Sequence, residues 1–172
     1  MATSENIFSS HSLSDIPSGE GFKIGIVVST WNRDITAKLL EGCLDLLIRK
    51  KVKKESLHVV HVPGSFELPC VAKVLDDTHN LDAIICLGCI IKGETDHNTY
   101  ISQAVASGLI QLSLLRSKPV IFGVITPDNT KQAEERAGGK YGNKGAEAAA
   151  TALSMVAIKK SIVEKNRKKI GF

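Results

Sequence analysis

The sequence has no apolar run that approaches the roughly 20 residues needed to cross a bilayer. Residues 1–20 contain six serines and no uninterrupted apolar stretch. They therefore resemble neither a secretory signal nor a membrane anchor. We expect a cytoplasmic protein with no membrane partner, in which residues 1–20 form a flexible or neighbour-docked N-terminal arm.

Cysteines are few, and their surroundings do not favour redox or metal chemistry. Cys43, Cys70, Cys86 and Cys89 all lie among apolar neighbours, as reduced core thiols usually do. Cys86 and Cys89 form a CxxC motif, but on an extended strand residues three apart face opposite sides, and no second pair is present. We expect core packing and no metal site. The dinucleotide motif GxGxxG and the phosphate-loop motif GxxxxGK[ST] are also missing.

The body of the chain has no excess of positive charge. The net charge is +4, and residues 159–172 hold six lysines or arginines against one glutamate, so that this segment alone carries +5. The other 158 residues then sum to −1. A surface that tracks a nucleic-acid backbone needs clustered positive charge. We therefore expect no nucleic-acid partner, and residues 166–172 form a basic C-terminal tail.

Strand-like apolar runs alternate with helix-length amphipathic segments along the whole chain. This alternation predicts parallel strands joined by right-handed helical crossovers. We predict one domain, residues 21–165, folded as a three-layer α/β/α sandwich around a central parallel four-stranded sheet. The predicted strands are 22–29, 57–62, 82–88 and 119–125. The predicted helices are 34–51, 67–77, a third from Asp96 as N-cap to about 115, a short one capped by Asp128 or Asn129 that stops at Gly138 and Gly139, and a last one at 144–164.

The segment 83–97, AIICLGCIIKGETDH, is typical of an anion-binding turn. The turn leaves the backbone N–H groups of Gly93, Glu94 and Thr95 unpaired, and the following helix adds partial positive charge. A phosphate could bind there beside His97, and histidine is the residue type best suited to shuttle protons at neutral pH. The alternative is a structural histidine at a helix start.

Other residues after the strands have two interpretations each. Trp31, the only tryptophan, could stack on a planar ligand or be wedged under the first helix, and its position favours neither. Glu67 could be a first-turn helix acid or a hydrogen-bond acceptor for a polyol or amide. Arg136, Lys140 and Lys144 could form an anion site or a solvated charge run.

Five motifs together resemble the lumazine synthase family: STWN at 29–32, VPGSFELP at 62–69, LGCIIKGETDH at 87–97, PVIFGVIT at 119–126 and ERAGGKYGNKG at 135–145. The match covers about residues 22–158. It implies a flavodoxin-like fold and a transferase of riboflavin biosynthesis. That enzyme condenses 5-amino-6-(D-ribitylamino)uracil with 3,4-dihydroxy-2-butanone 4-phosphate, giving 6,7-dimethyl-8-ribityllumazine, phosphate and water, without cofactor or metal.

The resemblance also implies roles for particular residues. Trp31 would stack on the pyrimidine, with Phe122 helping to close the pocket, and His97 would move protons. The remaining substrate-binding residues are Ser65, Phe66 and Glu67 for the ribityl chain, Cys89, Ile90 and Ile91 for the heterocycle, and Glu94, Thr95 and Arg136 for the phosphate.

The resemblance further implies homopentamers with sites between neighbours, in which Phe122 and Arg136 come from the subunit next to the one that supplies His97. The short GGKYGNKG link, without the insertion of pentameric fungal relatives, resembles the members that build shells of sixty subunits. The alternative from another class is a non-catalytic flavin-binding or shell-forming member of the same fold.

Overall fold

A four-stranded parallel sheet lies at the centre of the computed structural model, which describes residues 13–170, and the side chains of residues 14–166. The strands are β1 (Ile24–Ser29), β2 (Leu57–Val62), β3 (Ala83–Cys89) and β4 (Val120–Ile125), in the order β2-β1-β3-β4. Each falls within one or two residues of its predicted range. All three strand pairs are parallel, so the four carboxyl ends lie along one edge of the sheet.

Five helices connect and flank the strands in the described part of the chain. Most of their ends lie within one or two residues of the prediction, and the last helix extends further. Asn129, not Asp128, caps the fourth helix, and its Oδ1 accepts a hydrogen bond from the backbone N–H of Gln132 at 3.0 Å. The short antiparallel pair of β5 (Ala137–Gly139) and β6 (Gly142–Asn143) was not predicted. The helices are α1 (Arg33–Arg49), α2 (Leu68–Thr78), α3 (His97–Arg116), α4 (Thr130–Arg136) and α5 (Lys144–Ile170).

Two apolar clusters, one on each face of the sheet, confirm the three-layer sandwich. The first joins β1 and β3 to α1 and α5 through side chains such as Ile26, Leu39 and Leu153. The second joins the opposite face to α2 and α3 through side chains such as Leu75 and Leu109. Because β1 and β3 are buried on both faces, every residue of both strands is buried, which explains their nearly continuous apolar runs.

The two cysteines of the CxxC motif face opposite sides of the sheet, as predicted. Cys86 packs in the cluster under α2 and α3, and Cys89 in the cluster under α1 and α5. Burial raises the pKa of Cys89 to about 11 and that of Cys43 to about 12, and it raises the pKa of Cys86 as well. These three are neutral core thiols at physiological pH, which leaves them poor metal ligands and nucleophiles.

The prediction that Cys70 is also a core thiol is wrong, because its side chain is exposed. The buried face of α2 carries Leu68, Ala72 and Leu75, at intervals of four and three residues. Position 70 is two residues from both Leu68 and Ala72 and therefore lies off this face. Apolar neighbours in the sequence do not imply burial in a helix.

The two ends of the described chain differ from the predicted arm and tail. Residues 1–12 of the predicted arm lie outside the described residues. Ile16 is buried, and the backbone N–H of Gly19 donates to the carbonyl oxygen of Lys50 at 2.7 Å, so this part of the segment packs on its own chain. At the other end, α5 continues to Ile170 and takes in most of the predicted tail. No helix among the described residues is long and apolar enough to span a membrane.

The first turn of α5 approaches the backbone of α1 very closely. A Cβ atom placed on Gly145 would lie 1.8 Å from the carbonyl oxygen of Leu39. Only glycine fits at this crossing without separating the two helices. The contact matters for the site because α1 begins at the carboxyl end of β1.

We expect Gly145→Ala to lower the free energy of unfolding by about 3 kcal/mol, the upper part of the range for overpacking, because the obstructing atom belongs to a rigid helix backbone. Gly93→Ala is the matched control, since nothing lies within 4 Å of a Cβ there. It should change stability by less than about 0.5 kcal/mol. Denaturant unfolding of both variants measures the difference, and equal stabilities would contradict the close approach.

Candidate active site

The carboxyl ends of β1 and β2 are joined beyond the last strand residues. The backbone N–H of Thr30 donates to the carbonyl oxygen of Val62 at 2.8 Å, and that of Trp31 donates to the carbonyl oxygen of Pro63 at 3.0 Å. The segments 30–32 and 63–67 therefore lie side by side at this edge. The edge is a usual position for a ligand in an open parallel sheet.

Trp31 stands open at this edge, with 69% of its surface exposed. The interpretation that it is wedged under the first helix is wrong. Its ring lies next to Gly64, because a Cβ atom placed there would be 3.1 Å from Trp31 Cε3 and 2.9 Å from Glu67 Oε2. A flat aromatic surface and a carboxylate thus flank one glycine, which lets both come close.

Glu67 takes part in the local turn but keeps acceptor capacity. Its Oε2 accepts a hydrogen bond from the backbone N–H of Gly64 at 3.0 Å, and residues Ser65–Glu67 form a 3-10 turn before α2. Among the described residues, its other oxygen, Oε1, has no hydrogen-bond partner. One oxygen therefore fixes the carboxylate while the other can accept from a ligand.

The other two residues of this turn are placed differently. Phe66 is 56% exposed and lies at the surface beside the edge. Ser65 is buried against the backbone of Gly88, where an added Cβ would come within 2.5 Å of Ser65 Oγ. The serine therefore packs against the end of β3.

In the segment after β3, the backbone N–H and C=O groups point alternately toward the β4 side and the β1 side. The N–H of Ile90 donates to the carbonyl oxygen of Ile125 at 2.9 Å, and that of Lys92 to the carbonyl oxygen of Pro127 at 3.0 Å. Because alternate residues of an extended chain direct their N–H and C=O groups to opposite sides, those of Ile91 point toward the β1 side. There β1 has already turned into α1, so these groups face the Trp31 side of the edge.

Asn32 joins the ends of β1 and β3, a role that the sequence analysis missed. Its backbone has φ 56° and ψ 46°, and its side-chain Nδ2 donates to the carbonyl oxygen of Cys89 at 3.0 Å. Asparagine tolerates this left-handed conformation better than most residues. An asparagine directly before a predicted helix is the signal that could have identified it.

The loop 92–96 and the start of α3 have the properties expected of an anion site. Side chains from Lys92 to His97 are exposed. Within the described residues, the backbone N–H groups of Gly93, Glu94 and Thr95 have no hydrogen-bond partner. Asp96 occupies the N-cap position as predicted, but its side chain makes no capping bond. The N-terminus of the 20-residue α3 thus adds partial positive charge to a set of free donors.

Phe122 and Arg136 lie on other elements of the chain. Phe122 is paired with Cys86 in the middle of β4, an outer strand, and is 38% exposed beside a cleft of about 390 Å³ that Lys144 also lines. The Arg136 guanidinium lies over the ring of Tyr141, 5.4 Å from its centroid. Among the described residues, neither makes a hydrogen bond or an ion pair with the loop 92–96.

Comparisons with known proteins identify the family of this chain. A sequence model of the 6,7-dimethyl-8-ribityllumazine synthase family matches residues 21–160. The chain belongs to this family. Three proteins named 6,7-dimethyl-8-ribityllumazine synthase are similar to it. That of Parabacteroides distasonis is 47% identical over 91% of this chain and 98% of its own length. That of Porphyromonas gingivalis is 44% identical over 93% and 99%, and that of Cytophaga hutchinsonii 46% over 91% and 98%.

Membership of the lumazine synthase family confirms the main prediction over its alternative. The chain is a transferase of riboflavin biosynthesis that acts on small molecules, and the flavodoxin-like fold agrees with the observed sheet. The interpretation as a non-catalytic flavin-binding or shell-forming member is not supported.

Replacement of Asn32 tests how this edge is held together. Asn32→Gly keeps the left-handed conformation and loses only the bond to Cys89, which we expect to lower the free energy of unfolding by about 1 kcal/mol. Asn32→Ala also carries the cost of the left-handed conformation, a further 1–2 kcal/mol or so. Chemical denaturation of both variants gives the two contributions. If Asn32→Ala is no less stable than Asn32→Gly, the backbone argument fails.

Proposed function

We propose that the edge formed by Trp31, the 63–67 segment and the 89–97 segment is where the chain condenses 5-amino-6-(D-ribitylamino)uracil with 3,4-dihydroxy-2-butanone 4-phosphate. The single observation that carries this placement is that unpaired N–H donors, an exposed aromatic ring and a half-free carboxylate all lie at one edge. The products are 6,7-dimethyl-8-ribityllumazine, phosphate and water.

The amine substrate is held by stacking and by hydrogen bonds in this proposal. The exposed ring of Trp31 stacks on the pyrimidine. The free oxygen of Glu67 accepts from ribityl hydroxyls, beside Ser65 and Phe66. Backbone groups of Cys89, Ile90 and Ile91 bond the heterocycle, and the outward N–H and C=O of Ile91 are the best placed among these.

The phosphate binds at the start of α3. The free N–H groups of Glu94 and Thr95 and the positive end of the helix support this position. Arg136 supplies the matching full positive charge and stabilises the phosphate as it departs. Because Arg136 lies over Tyr141 and makes no hydrogen bond or ion pair with the described residues of the loop 92–96, we propose that a neighbouring chain contributes it.

Catalysis is then mainly a matter of proximity. The substrate amine is already a nucleophile, so bringing it to the ketone supplies much of the rate. Imine formation, loss of phosphate and ring closure each move a proton. His97 is exposed at the first position of α3, next to the phosphate loop, and accepts and returns these protons.

His97→Ala should slow turnover by about 100-fold, the lower part of the range for general acid–base catalysis, because proximity is unaffected. The variant should remain measurably active. The increase in lumazine absorbance after mixing both substrates measures the rate. His61→Ala, at an exposed histidine on β2, is the matched control and should retain parental turnover. Parental turnover in His97→Ala would remove the proton-transfer role.

We further propose that the protein forms pentamers, assembled into a shell of sixty subunits. Exposed apolar side chains on the outer face of α3 support an association surface there: Tyr100, Ile110, Leu114 and Leu115. A pentamer brings the middle of one chain's β4, with Phe122, to the carboxyl edge of the next chain. Sedimentation of the purified protein measures the assembly.

Mixed assemblies test whether the site is shared. Arg136→Ala should be strongly impaired through poor phosphate binding. When Arg136→Ala and His97→Ala chains are co-assembled in equal amounts, about a quarter of the interfaces combine an intact His97 with an intact Arg136. Activity should therefore rise well above that of either parent assembly.

The control is the same two variants assembled separately and mixed only at the assay. No gain in the co-assembled sample, with exchange of chains verified, would show that both residues act within one chain. That outcome would leave the family activity untouched and overturn only the shared site.

A further inference from the structure

Two histidines meet at the sheet edge formed by β2, near its amino end and away from the substrate edge. His58 is the second residue of β2, and His79 follows directly after α2. Their ring centroids are 4.4 Å apart, and the ring planes are tilted by 56°. Neither residue has a role in the proposed reaction.

The hydrogen bonds around His79 suit one tautomer of its ring. Thr78 Oγ1 lies 2.9 Å from His79 Nδ1 and 2.9 Å from the carbonyl oxygen of Val74, which can only accept. When the hydroxyl donates to this carbonyl, it accepts from His79 Nδ1, and the lone pair of the ring is on Nε2. A histidine that ligates a metal is commonly oriented by such a bond from its other nitrogen.

The separation of the two rings is close to that of a pair bound to one ion. Two imidazoles on one ion, each with a metal–nitrogen distance of about 2.0–2.1 Å, have ring centroids roughly 4.5–5 Å apart. The observed separation of 4.4 Å is therefore close to that of a chelating pair.

We infer that His58 and His79 together bind a late first-row divalent transition-metal ion, with water completing its coordination. Imidazole ligands suit Ni²⁺, Cu²⁺ and Zn²⁺ and exclude Mg²⁺ and Ca²⁺, which prefer oxygen. Two protein ligands and an exposed edge make this an exchangeable site.

Calorimetric titration of Ni²⁺ into the full-length chain, without any affinity tag, tests the site. The parent protein should bind one ion per chain at this site. His58→Gln, His79→Gln and the double variant should each weaken binding by at least about tenfold, and to a similar extent, because one lost ligand already destroys the chelate. His61→Gln is the matched control: three residues from His58 on the same strand, it faces the other side and should bind as the parent does.

Further measurements separate a chelate from scattered surface binding. Thr78→Val should give a smaller loss of affinity, since it removes only the group that orients His79. Thermal unfolding without metal should be similar in all variants, so that weaker binding is not a result of misfolding. If the two single variants bind with parental affinity, or lose capacity additively, or if His61→Gln loses as much as they do, the chelate is excluded. The lumazine-forming activity is expected to be unchanged in every variant, so failure of this inference leaves the proposed function intact.

Discussion

The parallel pairing of β1 with both β2 and β3 is the constraint on which the site depends. It fixes three carboxyl ends at one edge, in a register that places Ser29 beside Val62 and Val28 beside Leu87. Because β1 ends there and turns into α1 while β3 continues, the backbone of the 90–91 segment loses its neighbour on that side. The unpaired backbone groups at the proposed site result from this difference in strand length. The hydrogen bond from Asn32 to the Cys89 carbonyl oxygen joins β1 and β3 just before the 90–91 segment. The backbone groups of that segment stay open to a ligand.

The N-terminus of α3 adds partial positive charge to that open edge. α3 begins directly at the edge with a loop whose N–H groups are free, so its dipole and its donors act on the same point. The position of α1 is fixed in turn by the close crossing at Gly145, where α5 contacts the Leu39 carbonyl. Packing on the far side of α1 thus sets the geometry of the segment that carries Trp31. The core and the site are therefore linked through one helix.

The sequence was a good guide wherever a residue's role follows from its neighbours along the chain. Strand ranges followed from apolar runs, and the opposite orientations of Cys86 and Cys89 followed from strand periodicity. The free donors at Gly93 to Thr95 followed from a turn that precedes a helix. Prediction failed for side-chain burial, which depends on the face of an element that packs against the core. Cys70 lies in an apolar sequence but off the buried face of α2. The exposure of Trp31 could not be inferred from its position before a helix. Asn32 was missed because its partner, the Cys89 carbonyl, is 57 residues away in the sequence.

The positions of Phe122 and Arg136 follow from the topology of the chain. β4 is an outer strand, and Phe122 sits three residues before its carboxyl end, so its ring cannot lie above the edge that ends at Ile125. Arg136 is held over Tyr141, next to the β5–β6 pair that packs against α1. In the proposed pentamer, a second chain that presents its β4 edge supplies both residues. If the proposed shared site forms in this way, assembly is a condition of catalysis.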